Sequence, residues 1–262
     1  MVEVEELDLS APLARKRQLS WLLNIFIRPA RALHEIASED RPVWLIPMLI
    51  LTLLTVAFIF VAGPLRKEAA LNAQIEPPES FQWMTPEQQQ QWMQAQQSAA
   101  EPVRTHLFPA IGSLFGLWFG WFVLGSILHL INTMLGSRST NTTIYNITAW
   151  ASLPFAVRLI VQMVAMITAH RLIGSPGVSG FLAEDVKGGM LFLRILLSMI
   201  DIYLLWQIVL LWVGSASTSG LTRGKAFTGV ILSVLLLLAL SALPGFLMAQ
   251  ISGLSVNSPF FF

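Results

Sequence analysis

Three charged side chains lie inside otherwise apolar stretches of this 262-residue sequence: Arg158, Arg194 and Asp201. An unpaired charge at the centre of a membrane-spanning helix costs about 3 kcal/mol on insertion scales, so opposite charges at one depth predict an ion pair. Residues of the same types also line proton and ion pathways through membranes. The three residues therefore raise two hypotheses, one of architecture and one of transport.

The composition indicates a membrane protein. Hydrophobic residues make up 55% of the chain and charged residues 12%, against about 25% charged residues in soluble domains. The chain has no cysteine, which excludes disulfides, thiolate catalysis and cysteine metal sites. Five stretches are long and apolar enough to cross a hydrocarbon core about 30 Å thick, and we predict an all-α membrane protein with a five-helix transmembrane bundle. The predicted spans lie near residues 43–63, 107–132, 145–170, 188–213 and 227–251.

The predicted spans place the charges relative to one another. Arg158 and Asp201 fall near the middle of the third and fourth spans, so both are expected at one depth. Arg194 precedes Asp201 by two helical turns on nearly the same face, and it either extends toward the aspartate or snorkels away. Pro154 predicts a kink before Arg158 and frees the carbonyl of Trp150 as another partner for the guanidinium. We expect an ion pair that fixes the register of the two spans, with a proton or ion pathway as the alternative.

Small residues repeat every four positions in the second predicted span, at Gly112, Gly116 and Gly120. Such a strip lets another helix approach closely. We expect it to serve packing inside the bundle, with dimerisation as the alternative.

The segments around the spans differ in composition. Residues 1–18, acidic and then basic, are predicted to be a disordered tail. Residues 19–42 hold two short segments divided at Pro29, predicted to be interfacial helices with arginines toward the lipid headgroups. Packing of these helices against the bundle is the open alternative. Residues 43–251 form the predicted membrane domain, and residues 252–262 an extracytoplasmic tail.

The distribution of Lys and Arg predicts the orientation. With the N-terminus inside, nine cationic residues fall on the cytoplasmic side and five on the outer side. This favours a multi-pass protein of the cytoplasmic (inner) membrane with its N-terminus inside and its C-terminus outside. Four aromatic residues are expected near the inner interface: Trp44, Tyr145, Trp150 and Trp212.

The long loop between the first two spans, residues 64–106, is predicted to be outside. It holds two polar helical stretches separated at EPPES, residues 76–80. Thr85 and Gln88 predict a capping box at the start of the second stretch. Its apolar side chains make it either a lid on the membrane surface or a docking site for an extracytoplasmic partner: Trp83, Met84, Trp92 and Met93.

The sequence lacks the residue patterns that enzymatic, metal-binding and nucleic-acid-binding sites require. Ser198 lies near Asp201, but no histidine shares their depth to act as a base. The glycine-rich residues 174–180 follow no strand and precede no Lys-Ser/Thr, so they are not a phosphate loop. The sequence has no basic face interleaved with aromatic residues, so it does not predict nucleic-acid binding. We expect no cofactor or metal. The histidines lack ligand spacing: His34, His106, His129 and His170.

Three stretches together resemble the Yip1 domain family of five-span membrane proteins, and in particular its bacterial members. The stretches are IFIRPARALHEIASEDRPVWLIPMLIL at 25–51, YNITAWASLPFAVRLI at 145–160, and DIYLLWQIVLLWVG through RGKAF at 201–227. The resemblance implies a cytosolic N-terminus and a non-enzymatic role. Eukaryotic relatives are associated with small GTPases and vesicle trafficking, but their Asp-Leu-Tyr-Gly-Pro motif is absent here. Some bacterial relatives are associated with ABC-type exporters that include a membrane-fusion adaptor.

The sequence therefore favours a non-enzymatic scaffold or accessory subunit that contacts the lipid bilayer and binds other membrane proteins, an ABC transporter and its membrane-fusion adaptor among them. The alternative is a small transporter or channel that uses the intramembrane Arg/Asp pair.

Overall fold

The computed structural model describes residues 20–72, 79–98, 100–174, 176–183, 186–218 and 220–252. No strand occurs in these ranges, which confirms the predicted all-α class. Short 3₁₀ turns lie at Glu79–Trp83 and Ser179–Phe181, and a π-helical turn at Val103–Leu107 leads into α5. The α-helices are α1 at 20–27, α2 Pro29–Ala37, α3 Leu45–Asn72, α4 Pro86–Ser98, α5 Phe108–Met134, α6 Asn141–Ala151, α7 Pro154–Ala169, α8 Gly189–Ser198, α9 Ile202–Thr218 and α10 Arg223–Ser252.

Several helices of the described chain are suited to a membrane. Two short helices, Gly189–Ser198 and Ile202–Ser217, are together long and apolar enough to cross a membrane. They make a fifth span if they are counted as one. This confirms a multi-pass membrane protein. Four other stretches of the described chain are long and apolar enough to cross: Leu45–Asn72 (α3), Val103–Met134 (the π-helical turn with α5), Asn141–Ala169 (α6 with α7) and Arg223–Met248 in α10.

The first and fourth spans differ from the prediction. Residues 65–72, predicted to be a separate polar helix of the loop, continue α3, because Lys, Glu, Ala and Leu all favour helix. The predicted continuous helix at 188–213 is broken between Ser198 and Ile202, with a bend of 71°. Aspartate competes with the backbone inside a helix and is preferred just before one, so Asp201 starts a new helix. The predicted tails, residues 1–18 and the end of 252–262, lie outside the described residues.

One compact unit comprises Met1–Leu49, Trp121–Leu153 and Leu205–Leu237. Pro29 stands at the start of α2, where its missing N–H is not needed, and α2 packs against α6. The start of α6 is capped by Thr140, whose side chain accepts a hydrogen bond from the backbone N–H of Thr143. The face of α2 that is buried carries Ala32, Leu33 and Ile36. The second N-terminal helix therefore contacts protein, the alternative that the sequence left open.

The other unit comprises Ile50–Gly120, Pro154–Leu204 and Leu238–Phe262. Trp118 of α5 donates its indole N–H to the Thr52 hydroxyl of α3 over 3.1 Å. The buried cluster of this unit consists of Phe58, Ala62 and Met166, and it joins α3 to α7. Partly buried hydrophobic side chains pack around this cluster: Val61, Leu65, Leu159, Met163, Leu172 and Ile173.

The glycine strip of α5 does not show close packing at its last position. A Cβ atom built on Gly120 would meet no atom within 4 Å, so no helix of the described chain approaches there. Gly112 and Gly116 are half-buried. Close approaches occur at glycines outside the strip, for example at Gly125 and Gly214, where a Cβ atom would fall 2.5 Å from the Tyr145 ring and from Ile147, respectively. Dimerisation through the strip stays a prediction.

Candidate functional site

The break between α8 and α9 is built around Asp201. The Oδ1 atom of Asp201 accepts hydrogen bonds from the backbone N–H groups of Tyr203 (3.0 Å) and Leu204 (2.9 Å). These N–H groups belong to the first turn of α9, where no helical carbonyl is available to them. Asp201 is thus the N-cap of α9, a role that the sequence analysis missed because it placed the residue inside a helix.

The second carboxylate oxygen of Asp201 faces Arg158. Arg158 Nε lies 3.1 Å from Asp201 Oδ2, and the two side chains are only 13% and 15% exposed. The Nε–H group is not directed at any hydrogen-bond acceptor, so this contact is an ion pair by distance without a well-aligned hydrogen bond. The Arg158 guanidinium also lies 6.0 Å from the centre of the Phe155 ring. Both oxygens of Asp201 are therefore engaged by groups of the chain itself.

The other predicted partners of the pair are arranged differently. Arg194 is half-buried on α8, and the bend after Ser198 means that it and Asp201 do not share a helix face, contrary to the prediction. Pro154 is the first residue of α7, and the predicted irregularity is a two-residue interruption of the helix. The Trp150 carbonyl that Pro154 leaves free accepts a hydrogen bond from the backbone N–H of Leu153 over 3.3 Å.

Residues 176–180 of the glycine-rich segment 174–180 pack against the carboxyl end of α8. The backbone N–H of Val178 donates to the carbonyls of Leu197 and Ile200, both over 3.1 Å. Gly177 has φ +60°, and a Cβ atom there would fall 2.6–2.7 Å from three carbonyl oxygens, those of Leu197, Ser198 and Ile200. Helix ends leave carbonyls without partners, and this segment supplies a donor at the break. The sequence analysis excluded phosphate binding for the segment but assigned it no role.

Gly177→Ala is expected to detach segment 174–180 from α8. The left-handed backbone costs a non-glycine residue about 1–3 kcal/mol, and the methyl group would also overlap backbone atoms that cannot move singly. Because the segment can move away, the effect should be local: a cysteine introduced at Val178 becomes more reactive toward maleimide. Gly174→Ala is the matched control, since its Cβ atom would meet no atom within 4 Å. Equal reactivity in both variants would contradict this role.

A separate polar network in the first unit holds the entry to the first span. The Asn146 side chain accepts from the Val43 backbone N–H (2.8 Å) and donates to the Arg41 carbonyl (3.0 Å). Trp150 donates its indole N–H to the Val43 carbonyl over 3.0 Å. Asn146 and Trp150 are both fully buried, so the Trp150 ring packs against protein and not against lipid headgroups.

Two more contacts extend this network. Trp21 of α1 packs edge-on against Trp150 with ring centres 5.6 Å apart, and its indole N–H donates to Glu35 Oε2 over 2.9 Å. The Gln207 side chain of α9 donates to the Ser152 hydroxyl over 2.9 Å, and both residues are buried. No spacing rule in the sequence pointed to Asn146, Gln207 or Trp21, because their partners are distant along the chain.

The glutamine-rich segment, residues 79–98, is held together by a contact between two half-buried aromatic rings. Phe81 and Trp92 pack with ring centres 5.0 Å apart. The capping box is present, with Thr85 N–H donating to Gln88 Oε1 and Gln88 N–H donating to Thr85 Oγ1. Trp92 therefore packs within the segment, against Phe81, and Met84 is half-buried. Trp83 is 88% exposed and Met93 49% exposed, so these two remain on the surface.

Comparison with family models identifies the chain. The model of the Yip1 domain matches residues 23–243. The chain belongs to the Yip1 domain family. No curated protein and no solved structure matches it. In this Yip1 domain protein the three stretches that carry the resemblance contact one another within each unit: Asn146 with Val43 and Gln207 with Ser152 in the first unit, and Arg158 with Asp201 in the second.

Proposed function

We propose that this Yip1 domain protein is a non-enzymatic scaffold or accessory subunit that binds another membrane protein through its glutamine-rich segment. The observation that carries the proposal is the exposure of Trp83. The segment has an aromatic ring contact and a hydrogen-bonded cap of its own, yet the Trp83 side chain is 88% exposed. Tryptophan is enriched among the residues that dominate protein interfaces, since it buries a large rigid surface.

The buried charges support a structural role beside this contact surface. Asp201 binds two backbone N–H groups and one guanidinium, so its carboxylate is satisfied within the protein. The count of cationic residues supports a cytoplasmic N-terminus and a glutamine-rich segment on the outer side of the membrane. An ABC-type exporter with a membrane-fusion adaptor is the partner class that the family resemblance implies.

The broken fourth span is the one observation that favours a transporter as the second candidate. Discontinuous helices occur at the substrate sites of transporters, where helix ends meet ions and anionic groups. Here the helix ends are occupied by Asp201 and by the Val178 N–H. If the protein is a transporter, Asp201→Asn should fold but lose flux. If it is a scaffold, the same variant should be less stable.

Co-purification tests the scaffold. The tagged protein is extracted from its native membranes in mild detergent, and stoichiometric companions are identified by mass spectrometry. Trp83→Ala should weaken companion binding by about 2 kcal/mol, about 30-fold in Kd, if the indole is the central anchor. Gln82→Ala, at an exposed neighbour, is the matched control and should retain the companion. A companion retained equally by both variants would remove the glutamine-rich segment from the interface, and a protein that emerges alone would overturn the scaffold.

A further inference from the structure

Helix α1 is covered by protein on one side only. Trp21 and Ile25 are 1% and 0% exposed, while Leu23 and Ile27, two positions further along the helix in each case, are 69% and 70% exposed. Two residues correspond to about 200° of helix rotation, so the exposed pair lies opposite the buried pair. The helix therefore has one apolar face against protein and a second apolar face without a partner in the described chain.

The contacts of α1 place it beside membrane-spanning helices. Trp21 packs on Trp150, which lies nine residues into the candidate span Asn141–Ala169, about 14 Å from its first residue. Phe26 packs edge-on against Trp206 of α9, with ring centres 5.3 Å apart. If Asn141–Ala169 and α9 cross a bilayer, the exposed far side of α1 faces the surrounding lipid. The described part of α1, residues 20–27, is about 12 Å long, which is too short to cross the bilayer by itself.

The end of α1 adds positive charge to this apolar face. Arg28 joins α1 to α2 and is exposed, and Arg31 follows on α2, paired with Glu35. The described residues of the first unit carry six cationic side chains against three carboxylates. Anionic lipid headgroups attract Lys and Arg side chains near a membrane surface, and Arg28 is the exposed cation at the end of α1.

We infer that α1 and the α1–α2 junction form a binding surface for an anionic phospholipid. The acyl chain packs on Leu23 and Ile27, and the phosphate contacts Arg28. The surface is independent of the glutamine-rich segment, so it does not require the proposed companion.

Spin labels test where the exposed face of α1 lies. Because the chain has no cysteine, Leu23→Cys and Ile27→Cys each introduce one labelling site in the full protein. In nanodiscs of phosphatidylcholine and phosphatidylglycerol, both labels should be more accessible to oxygen than to a water-soluble nickel reagent. Asp40→Cys, exposed after α2, should show the reverse order. A water-accessible label at positions 23 and 27, or a label shielded from both reagents by another protein, would overturn the inference.

Native mass spectrometry tests the charge. Phosphatidylglycerol retained on the detergent-extracted protein should fall about fivefold in affinity in Arg28→Gln, the effect of one cation near a membrane surface. Lys67→Gln, at an exposed cation in the other unit, is the control and should change retention little. Equal losses in the two variants would show nonspecific attraction and overturn the assignment of Arg28. Neither readout depends on a companion, so failure here is distinct from failure of the scaffold proposal.

Discussion

Arg158→Leu is expected to lower the free energy of unfolding by about 3–5 kcal/mol, the typical effect of removing one partner of a buried ion pair. The change leaves the Asp201 carboxylate mostly buried with no cation at Oδ2. Asp201→Leu should be at least as destabilising, because it also removes the acceptor for the backbone N–H groups of Tyr203 and Leu204. The thermal midpoint in detergent, followed by fluorescence-detected size exclusion, measures both variants.

The double variant Arg158→Leu/Asp201→Asn separates charge from capping. It carries neither buried charge, and asparagine is among the preferred N-cap residues, so the start of α9 keeps its acceptor. We expect this variant to be more stable than Arg158→Leu alone. A double variant that loses the sum of the effects measured for Arg158→Leu and Asp201→Asn singly would mean that the charges do not interact, and would contradict the ion pair.

Asn146→Leu is expected to cost about 1–3 kcal/mol. The substitution leaves the buried Val43 N–H without its side-chain partner, and one unsatisfied buried group costs that much, whereas the Arg41 carbonyl lies at an exposed residue where water can replace the lost donor. The first span should then lose its fixed entry beside α6. Reduced thermal stability, together with greater cleavage by protease between α2 and α3, is the expected result.

A second buried asparagine provides the comparison for Asn146. Asn132 is also fully buried, but its amide makes one long hydrogen bond, to the Ser215 hydroxyl over 3.5 Å, and its Oδ1 has no hydrogen-bond partner. Asn132→Leu should therefore destabilise the protein by no more than about 1 kcal/mol. If both substitutions had the same effect, burial of the amide and not its backbone contacts would be the cause.

The spans and one long-range contact were accessible from sequence because they depend on simple physical rules. Length and apolar composition identify membrane helices, and an opposite charge at matching depth identifies the partner of Arg158. The capping box formed by Thr85 and Gln88 is a local pattern, and the structure contains both of its hydrogen bonds as predicted. These features require no knowledge of which helices are neighbours.

The remaining features depend on neighbours that sequence spacing does not reveal. The break at Asp201 needs the Val178 N–H to satisfy carbonyls at the end of α8, and Val178 lies about 20 residues earlier. Asn146 is separated from Val43 by 103 residues. Trp83 and Trp92 are both tryptophans of the glutamine-rich segment. Phe81 packs against Trp92, whereas Trp83 stays exposed. In each case, tertiary packing decides between alternatives that the local pattern leaves equal.

The same observations bear on the choice between scaffold and transporter. A carboxylate that carries an ion or proton has to exchange partners, whereas Asp201 holds α9 by its cap and α7 by its ion pair. Removing both charges while keeping the cap should therefore leave the function of a scaffold intact. Removing them from a transport path should abolish its function.

The most direct measurement is the amount of companion recovered with Arg158→Leu/Asp201→Asn, relative to the original protein and normalised to the monodisperse fraction. The scaffold account predicts equal recovery per folded molecule, with loss of the companion confined to Trp83→Ala. A double variant that is folded, as judged by its size-exclusion profile, but fails to recover the companion would show that the buried charges act in function and would contradict the account.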